Sequence, residues 1–220
     1  FFFLSIYALA PIPAAAATLN PAAIGITALE PFSVDDVVVI GFEEVGWIDL
    51  FGWGLSGYNG KMPNLTKLYP SDYVDLMAGI NGTQYDWGVY NAIENGGNKA
   101  GLWRTLTKDE WNYLINKRPN AKELCSHGSV NGVWGIILLP DDFICPENLF
   151  FTPNSNNYYT NDYTEEEWIE LEKNGAVFLP ASGYRIATNI SNMGKSGSYW
   201  SSSVCNSGPY YFDFTQQDMY

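Results

Sequence analysis

One histidine, three cysteines and a few paired carboxylates are the residues of this 220-residue chain whose types could carry covalent or metal chemistry. His127 follows Ser126 and precedes Ser129, so a hydroxyl nucleophile and an imidazole base are neighbours in sequence. Adjacency along a chain does not supply the mutual geometry of a hydrolytic triad, and no second histidine offers a base elsewhere. His127 is therefore expected to be a loop residue, with no catalytic residue anywhere in the chain. Cys125, Cys145 and Cys205 show no C-x-x-C spacing, which argues against a thiolate metal site. They read either as small buried apolar residues or, in an exported protein, as the source of one disulfide. Cys125 with Cys145 is the first pairing to expect. Carboxylates double at Asp35-Asp36, Glu43-Glu44 and Asp141-Asp142. Such pairs offer the hard oxygens that calcium takes, and Asp141 and Asp142 are the expected contributors if it binds. A turn after a strand accounts for the same two residues without a metal, and no other cofactor is expected. Glu165-Glu166-Glu167 reads as negative charge set at a helix N-terminus.

Non-covalent chemistry is concentrated elsewhere. Half of residues 186–211 are Asn, Ser or Tyr. Tyr gives rigid contact area while Ser and Asn adapt their hydrogen bonds, the mixture found in binding loops. Asn189, Asn192, Tyr199, Asn206, Tyr210 and Tyr211 are the candidate ligand contacts, and Trp200 is expected in the core. The competing reading is that small polar residues merely fill loops.

Charge narrows the partners. Eleven Lys and Arg stand against 24 Asp and Glu, a net charge of −13. Binding to nucleic acid needs clustered cations, so nucleic acid is not an expected partner, and an anionic membrane surface is disfavoured for the same reason. No Lys or Arg precedes Lys61, and residues 1–30 are almost wholly apolar or small. The run from Phe1 to Ala10 has the look of a signal-peptide core, and Ala14-Ala15-Ala16-Ala17 that of a cleavage region, but neither an initiating Met nor a basic segment precedes them. Pro11, Pro13 and Pro21 interrupt this arm too soon for a transmembrane helix. Residues 1–30 are expected to serve self-association or anchoring, and residues 31–220 to form one domain.

The elements that would position these groups follow from local signals. Residues 34–40 read as a strand, residues 46–54 as a compact Gly/Trp loop, and residues 55–101 as mostly loop. Two helices share one pattern. Thr107 and Glu110 form a capping box before residues 108–118, with Leu106 and Trp111 as the hydrophobic staple. Thr164 and Glu167, with Tyr163 and Trp168, repeat the device before residues 165–174, and Gly175 is placed to end the helix. The apolar runs Gly135-Ile136-Ile137-Leu138-Leu139-Pro140 and Ala176-Val177-Phe178-Leu179-Pro180 read as strands buried on both faces. Tyr210-Tyr211-Phe212-Asp213-Phe214 closes the chain as a further strand. Two short helices among short strands and long loops define an α+β domain.

Several of these segments resemble a known family. Trp103-Arg104-Thr105-Leu106-Thr107-Lys108-Asp109-Glu110-Trp111 is similar to a signature of the Fibrobacter succinogenes major paralogous domain, found in exported proteins of Bacteroidetes and Fibrobacteres. Further likeness lies in Gly46-Trp47-Ile48-Asp49-Leu50-Phe51-Gly52-Trp53-Gly54, Val130-Asn131-Gly132, Ile137-Leu138-Leu139-Pro140-Asp141-Asp142, the segment from Gly175 to Arg185, and Gly197-Ser198-Tyr199-Trp200-Ser201-Ser202-Ser203. The resemblance implies a C-type-lectin-like fold related to formylglycine-generating enzymes, in an extracellular or cell-surface setting. It departs in lacking a final strand of the V-R-L type. The calcium motifs of sugar-binding C-type lectins, Glu-Pro-Asn and Trp-Asn-Asp, are absent, and the three cysteines occupy none of the oxidase family's motif contexts. A non-enzymatic, surface-displayed module binding a glycan or cell-surface protein is the expected function, in an oligomer or filament. The alternatives are a purely structural filament, pilus or phage-decoration subunit, and an oxidase-like enzyme.

Overall fold

The computed structural model of the chain describes residues 7–9, 53–58, 78–92, 99–186, 189–206 and 208–219. The expected strand at 34–40 lies outside these residues, as does most of the arm 1–30. What is described is a mixed α+β architecture. Its centre is a four-stranded sheet in the order β5–β3–β4–β6. Strand β3 (Cys125–Val130) and strand β4 (Val133–Leu138) form an antiparallel hairpin. Its two-residue loop is Asn131-Gly132, with φ of 48° and 77°. Positive φ at both positions is the geometry whose twist matches that of the flanking strands, and Asn-Gly is the pair that adopts it most readily. Strand β5 (Asp162–Tyr163) runs parallel to β3, and β6 (Val177–Pro180) antiparallel to β4.

Both faces of this sheet are covered, which is why β4 and β6 are apolar without alternation. On one face Ile137, Leu139 and Phe178 pack with Trp168 and Leu171 of helix α3 (Glu165–Lys173). On the other, Ile136, Leu138, Val177 and Leu179 meet Trp111 of helix α2 (Lys108–Asn112) and the aromatic side chains Tyr199, Phe212 and Phe214. Both helices carry complete capping boxes, Thr107 with Glu110 and Thr164 with Glu167. Helix α2 is shorter than its sequence pattern, because it passes into a π-helical turn at Tyr113–Lys117. That turn presents Leu114 to the core and ends at Arg118.

The last third of the chain holds the strand expected at 210–214, within β10, and further strands where none was expected. Strands β7 (Tyr184–Ile186) and β8 (Asn189–Ser191) pair with each other, and β9 (Ser196–Cys205) pairs with β10 (Gly208–Thr215) in a long antiparallel hairpin. Burial of its first seven residues lets the Ser-rich β9 persist as a strand. Strand β1 (Tyr7–Leu9) pairs antiparallel with β2 (Trp103–Thr105). No helix among the described residues is long and apolar enough to cross a membrane.

Candidate functional site

The pairing of β9 with β10 shifts register between Pro209 and Tyr211. Opposite that shift, the backbone of β9 turns to other partners. Ser201 O accepts from Trp53 Nε1 at 2.7 Å. Ser202 O accepts from Ile80 N at 2.9 Å, and Ser202 N donates to Leu106 O at 2.8 Å. A strand irregularity thus becomes a docking edge for two loops, 53–58 and 78–92. Gly79 permits the close approach: its φ is +79°, and a Cβ there would meet Ser202 O at 2.6 Å. Trp53, Ile80 and Trp200 form a small core at the contact, with Tyr85 and Val204 packed against it.

The result is an end face of aromatic rings. Tyr211 packs edge-on to Trp200 at 6.3 Å between ring centroids. Tyr58 packs edge-on to both Tyr85, at 5.2 Å, and Tyr90, at 5.7 Å. Lys108 Nζ lies 4.2 Å above the centre of the Tyr210 ring, a cation–π contact that fixes both side chains. Tyr90 and Tyr211 remain 41% and 52% exposed, whereas Tyr58, Tyr85, Trp87 and Tyr210 are half-buried. Asn91 is locked in place by donating from Nδ2 to Ser56 O at 2.7 Å, and Asn206 stands exposed beside the end of the hairpin.

Asp86 holds the face from below. It is fully buried and caps the four-residue helix α1 (Trp87–Tyr90), accepting from Gly88 N at 3.3 Å. It also accepts from Thr105 N at 2.8 Å and Thr105 Oγ1 at 3.0 Å, tying the loop to β2. Burial pushes its carboxyl up to about 6, against the lowering effect of the Thr105 and Gly88 hydrogen bonds and the Arg104 charge. Arg104 itself forms a two-pronged ion pair with Glu110. Burial alone would raise Glu110, but the hydrogen bonds from Arg104 and Thr107 hold its carboxyl below the ordinary range.

The structure sorts the six candidate contacts. Asn206, Tyr210 and Tyr211 share this end face. Asn192 is exposed but lies in the turn before β9, at the other end of a ten-residue strand. At about 3.3 Å per residue that separation is roughly 30 Å, so the six do not form one site. Asn189 falls in β8, with its side chain outside the described ones. Tyr199 is a correction: it is fully buried, and its hydroxyl donates to Pro180 O at 2.6 Å. It faces inward because this part of the hairpin is sandwiched between the sheet and α2, with Trp111 beside it. Trp200 is core, as expected, at 6% exposure. Tyr58, Tyr85 and Tyr90 were not among the sequence candidates. Their segment reads only as loop, and nothing local ties it to β9.

His127 is also corrected. It is a buried residue in the middle of β3, not a loop residue. Its Nδ1 lies 2.9 Å from Ser155 O and its Nε2 2.8 Å from Thr215 O. Both ring nitrogens face backbone carbonyls, leaving neither to activate Ser126 or Ser129. The cysteines are three free thiols, so the Cys125–Cys145 disulfide is not formed. Cys125 points into the core against Met219 Sδ at 3.6 Å, where burial pushes its thiol up to about 12, while Cys145 sits half-exposed in the loop after β4. Asp141 and Asp142 are exposed at the start of that same loop, and Asp141 accepts from the buried Arg118 Nη1 at 3.2 Å. No group of three or more potential metal-ligating side chains gathers among the described residues. Of residues 1–30, the described Tyr7–Leu9 are spent on β2 of the same chain.

No protein-family model, curated protein or solved structure matches the chain.

Proposed function

We propose that the protein is a non-enzymatic recognition module of C-type-lectin-like type, displayed outside the cell. In this reading its ligand, a glycan or a cell-surface protein, meets the end face formed by the β9–β10 hairpin and the loops docked on it. The supporting observation is the way this face is built. Tyr211 is half out in solvent while Trp200 braces it from behind, and Tyr210 is pinned by Lys108. Large rings held rigidly at a surface lose little conformational freedom on binding, which is what makes such side chains efficient contacts. The family resemblance of the Trp103–Trp111 and Gly197–Ser203 segments supports the exported setting.

The absence of catalysis belongs to the same reading. The one imidazole is committed to two carbonyls, and Cys125 is held as a buried thiol, unsuited to nucleophilic attack. The arm 1–30 is proposed to mediate self-association of the displayed module. The test is a paired array of glycans and cell-surface proteins probed with the whole chain and with Tyr210→Ala and Tyr211→Ala variants. Binding that both substitutions weaken supports the reading. An empty array, or binding indifferent to both, overturns it. Sedimentation of the chain with and without residues 1–30 tests the assembly role, and an unchanged oligomer on deletion rejects it.

A further inference from the structure

The three segments that build the end face, 53–58, 78–91 and 203–211, contain one charged side chain, Asp86. Asp86 is fully buried, so these segments present no charge to solvent, on a chain that carries a net −13. Two kinds of group dominate their exposed chemistry. Aromatic rings come from Tyr58, Tyr85, Trp87, Tyr90, Tyr210 and Tyr211. Neutral hydrogen-bonding groups come from Asn81, Gln84, Asn206 and Ser203. Lys108 at the rim has its ammonium placed over the Tyr210 ring.

The rings also touch one another in succession. Tyr211 contacts Trp200, Trp200 shares a cluster with Tyr85, and Tyr85 contacts Tyr58, which contacts Tyr90. Exposed tyrosines therefore stand at both ends of one braced aromatic ridge. Among the described residues, the other large apolar groups that stand exposed lie outside these segments: Ile144, Phe150 and Tyr159 in the loop after β4, Ile169 in α3 and Met193 in the turn before β9.

We propose that this ridge binds an uncharged oligosaccharide by stacking, with Tyr90 and Tyr211 each receiving the C–H face of a sugar ring. The inference rests on the reading that the end face is a recognition surface, and it adds the ligand class and the second tyrosine. Three features select that class. A sugar ring presents an apolar face to an aromatic quadrupole and hydroxyls at its edge to neutral amides, which is what the ridge offers. An acidic protein repels sulfated and uronic-acid chains, and the three described segments that build the face supply no cation to offset this. Two exposed tyrosines, separated along the chain of contacts by Trp200, Tyr85 and Tyr58, offer two stacking faces, so an oligomer fits better than a monosaccharide. No metal takes part, since the ridge supplies no carboxylate to the ligand.

The test is calorimetric titration of the whole chain with linear neutral hexasaccharides of glucose, xylose and mannose. Chondroitin sulfate is the anionic contrast, and each titration is run with and without EDTA. The expected result is binding of at least one neutral hexasaccharide, indifferent to EDTA, with no binding of chondroitin sulfate. Tyr90→Ala and Tyr211→Ala should each weaken it about tenfold or more, and Tyr159→Ala, at an exposed ring elsewhere, should leave it unchanged. Tyr90→Leu keeps apolar bulk while removing the ring face, and it should weaken binding as much as Tyr90→Ala while the melting temperature is kept. Neutral-sugar binding that survives both alanine variants overturns the ridge as the site. Loss of binding in EDTA overturns the metal-free mode. Silence toward every neutral sugar, with a cell-surface protein bound through Tyr211, overturns the ligand class and leaves the recognition face standing. Silence toward sugars and proteins alike overturns both.

Discussion

Two regions of this fold are built from the same small polar and aromatic residues, and they spend them in opposite ways. Around β3, Asn161 is fully buried: its Nδ2 lies 2.9 Å from each of Ser126 Oγ, His127 O and Thr152 O and shares its two protons among them, and its Oδ1 accepts from Thr152 N at 2.8 Å. Ser126 Oγ accepts in turn from Ser155 N at 3.0 Å, and both nitrogens of His127 face carbonyls. The hydrogen-bonding capacity there is consumed by the backbone of the 152–161 loop and the end of β10. At the end face the amide of Asn206 and the ring of Tyr211, braced by Trp200, are exposed at the surface. A polar residue whose partners are all internal holds a loop; one whose partners are outside is available to a ligand. Composition does not separate the two cases. Where the backbone sends its own hydrogen bonds does.

The comparison can be broken at the buried network first, where the largest effect is expected. Asn161→Leu removes the hydrogen bonds to Thr152 N, Thr152 O and His127 O and leaves Ser126 Oγ with Ser155 N alone, each bond lost being worth about 0.5–1.5 kcal/mol. A loss of about 3–5 kcal/mol in unfolding free energy is expected, read from urea denaturation, and the folded remainder should bind ligand unchanged. A loss below 1 kcal/mol would show that the loop 152–161 is held by something other than this amide.

Next comes Asp86, which belongs to neither category: it is buried, yet it supports the exposed face. Its folded carboxyl lies near 6, above the ordinary value for an unfolded aspartate. Between about pH 4 and pH 6 the native state therefore holds more protons than the unfolded chain, so this group's stabilising contribution is complete below pH 4 and declines as the pH rises through 6. The difference across that window is about 2–3 kcal/mol at most. Asp86→Asn should remove that slope when unfolding midpoints are compared at pH 4 and pH 7. A variant whose slope matches the parent's would reassign the titration.

Tyr199→Phe carries a smaller effect. It deletes one buried hydroxyl that donates to Pro180 O and keeps the stacked ring, so about 1–2 kcal/mol of stability should be lost with binding unaltered. Weakened binding at equal stability would return Tyr199 to the recognition surface.

How far the fold could be read from sequence follows the range of each signal. The capping boxes at Thr107 and Thr164 are complete within four residues, and both formed as the pattern implied. The two-faced burial of β4 and β6 was legible because their apolar runs do not alternate. Asn131-Gly132 carried a hairpin signal of equal strength, quoted above only for its family likeness. By contrast, β9 looked like loop because Ser is a poor strand former, and only its burial against α2 and the central sheet makes it a strand. Tyr199 was misplaced for the same reason, since an inward face cannot be assigned before the strand is. Tyr58, Tyr85 and Tyr90 reach the site through backbone bonds to Ser201 and Ser202 from residues more than a hundred positions away. Such a contact leaves no mark in the local pattern. Asn206, Tyr210 and Tyr211, which composition alone grouped as candidates, lie together at one end of the β9–β10 hairpin.

The smallest expected change in stability is the most informative. Tyr211→Ala removes a half-exposed ring and one edge-on contact with Trp200, which itself stays covered by Trp53 and Ile80. Exposed aromatic contacts of this kind are worth about 0.5–1 kcal/mol to a fold, so the unfolding midpoint should barely move. If the end face works by ring stacking, the same substitution should cost most of the measurable affinity, so that binding and stability come apart at this residue. A structural role for Tyr211 predicts the reverse: a clear drop in the unfolding midpoint, and binding lost only in proportion to the unfolded fraction. The ratio of the two effects, measured on one variant, separates a polar region that holds the chain together from one that holds something else.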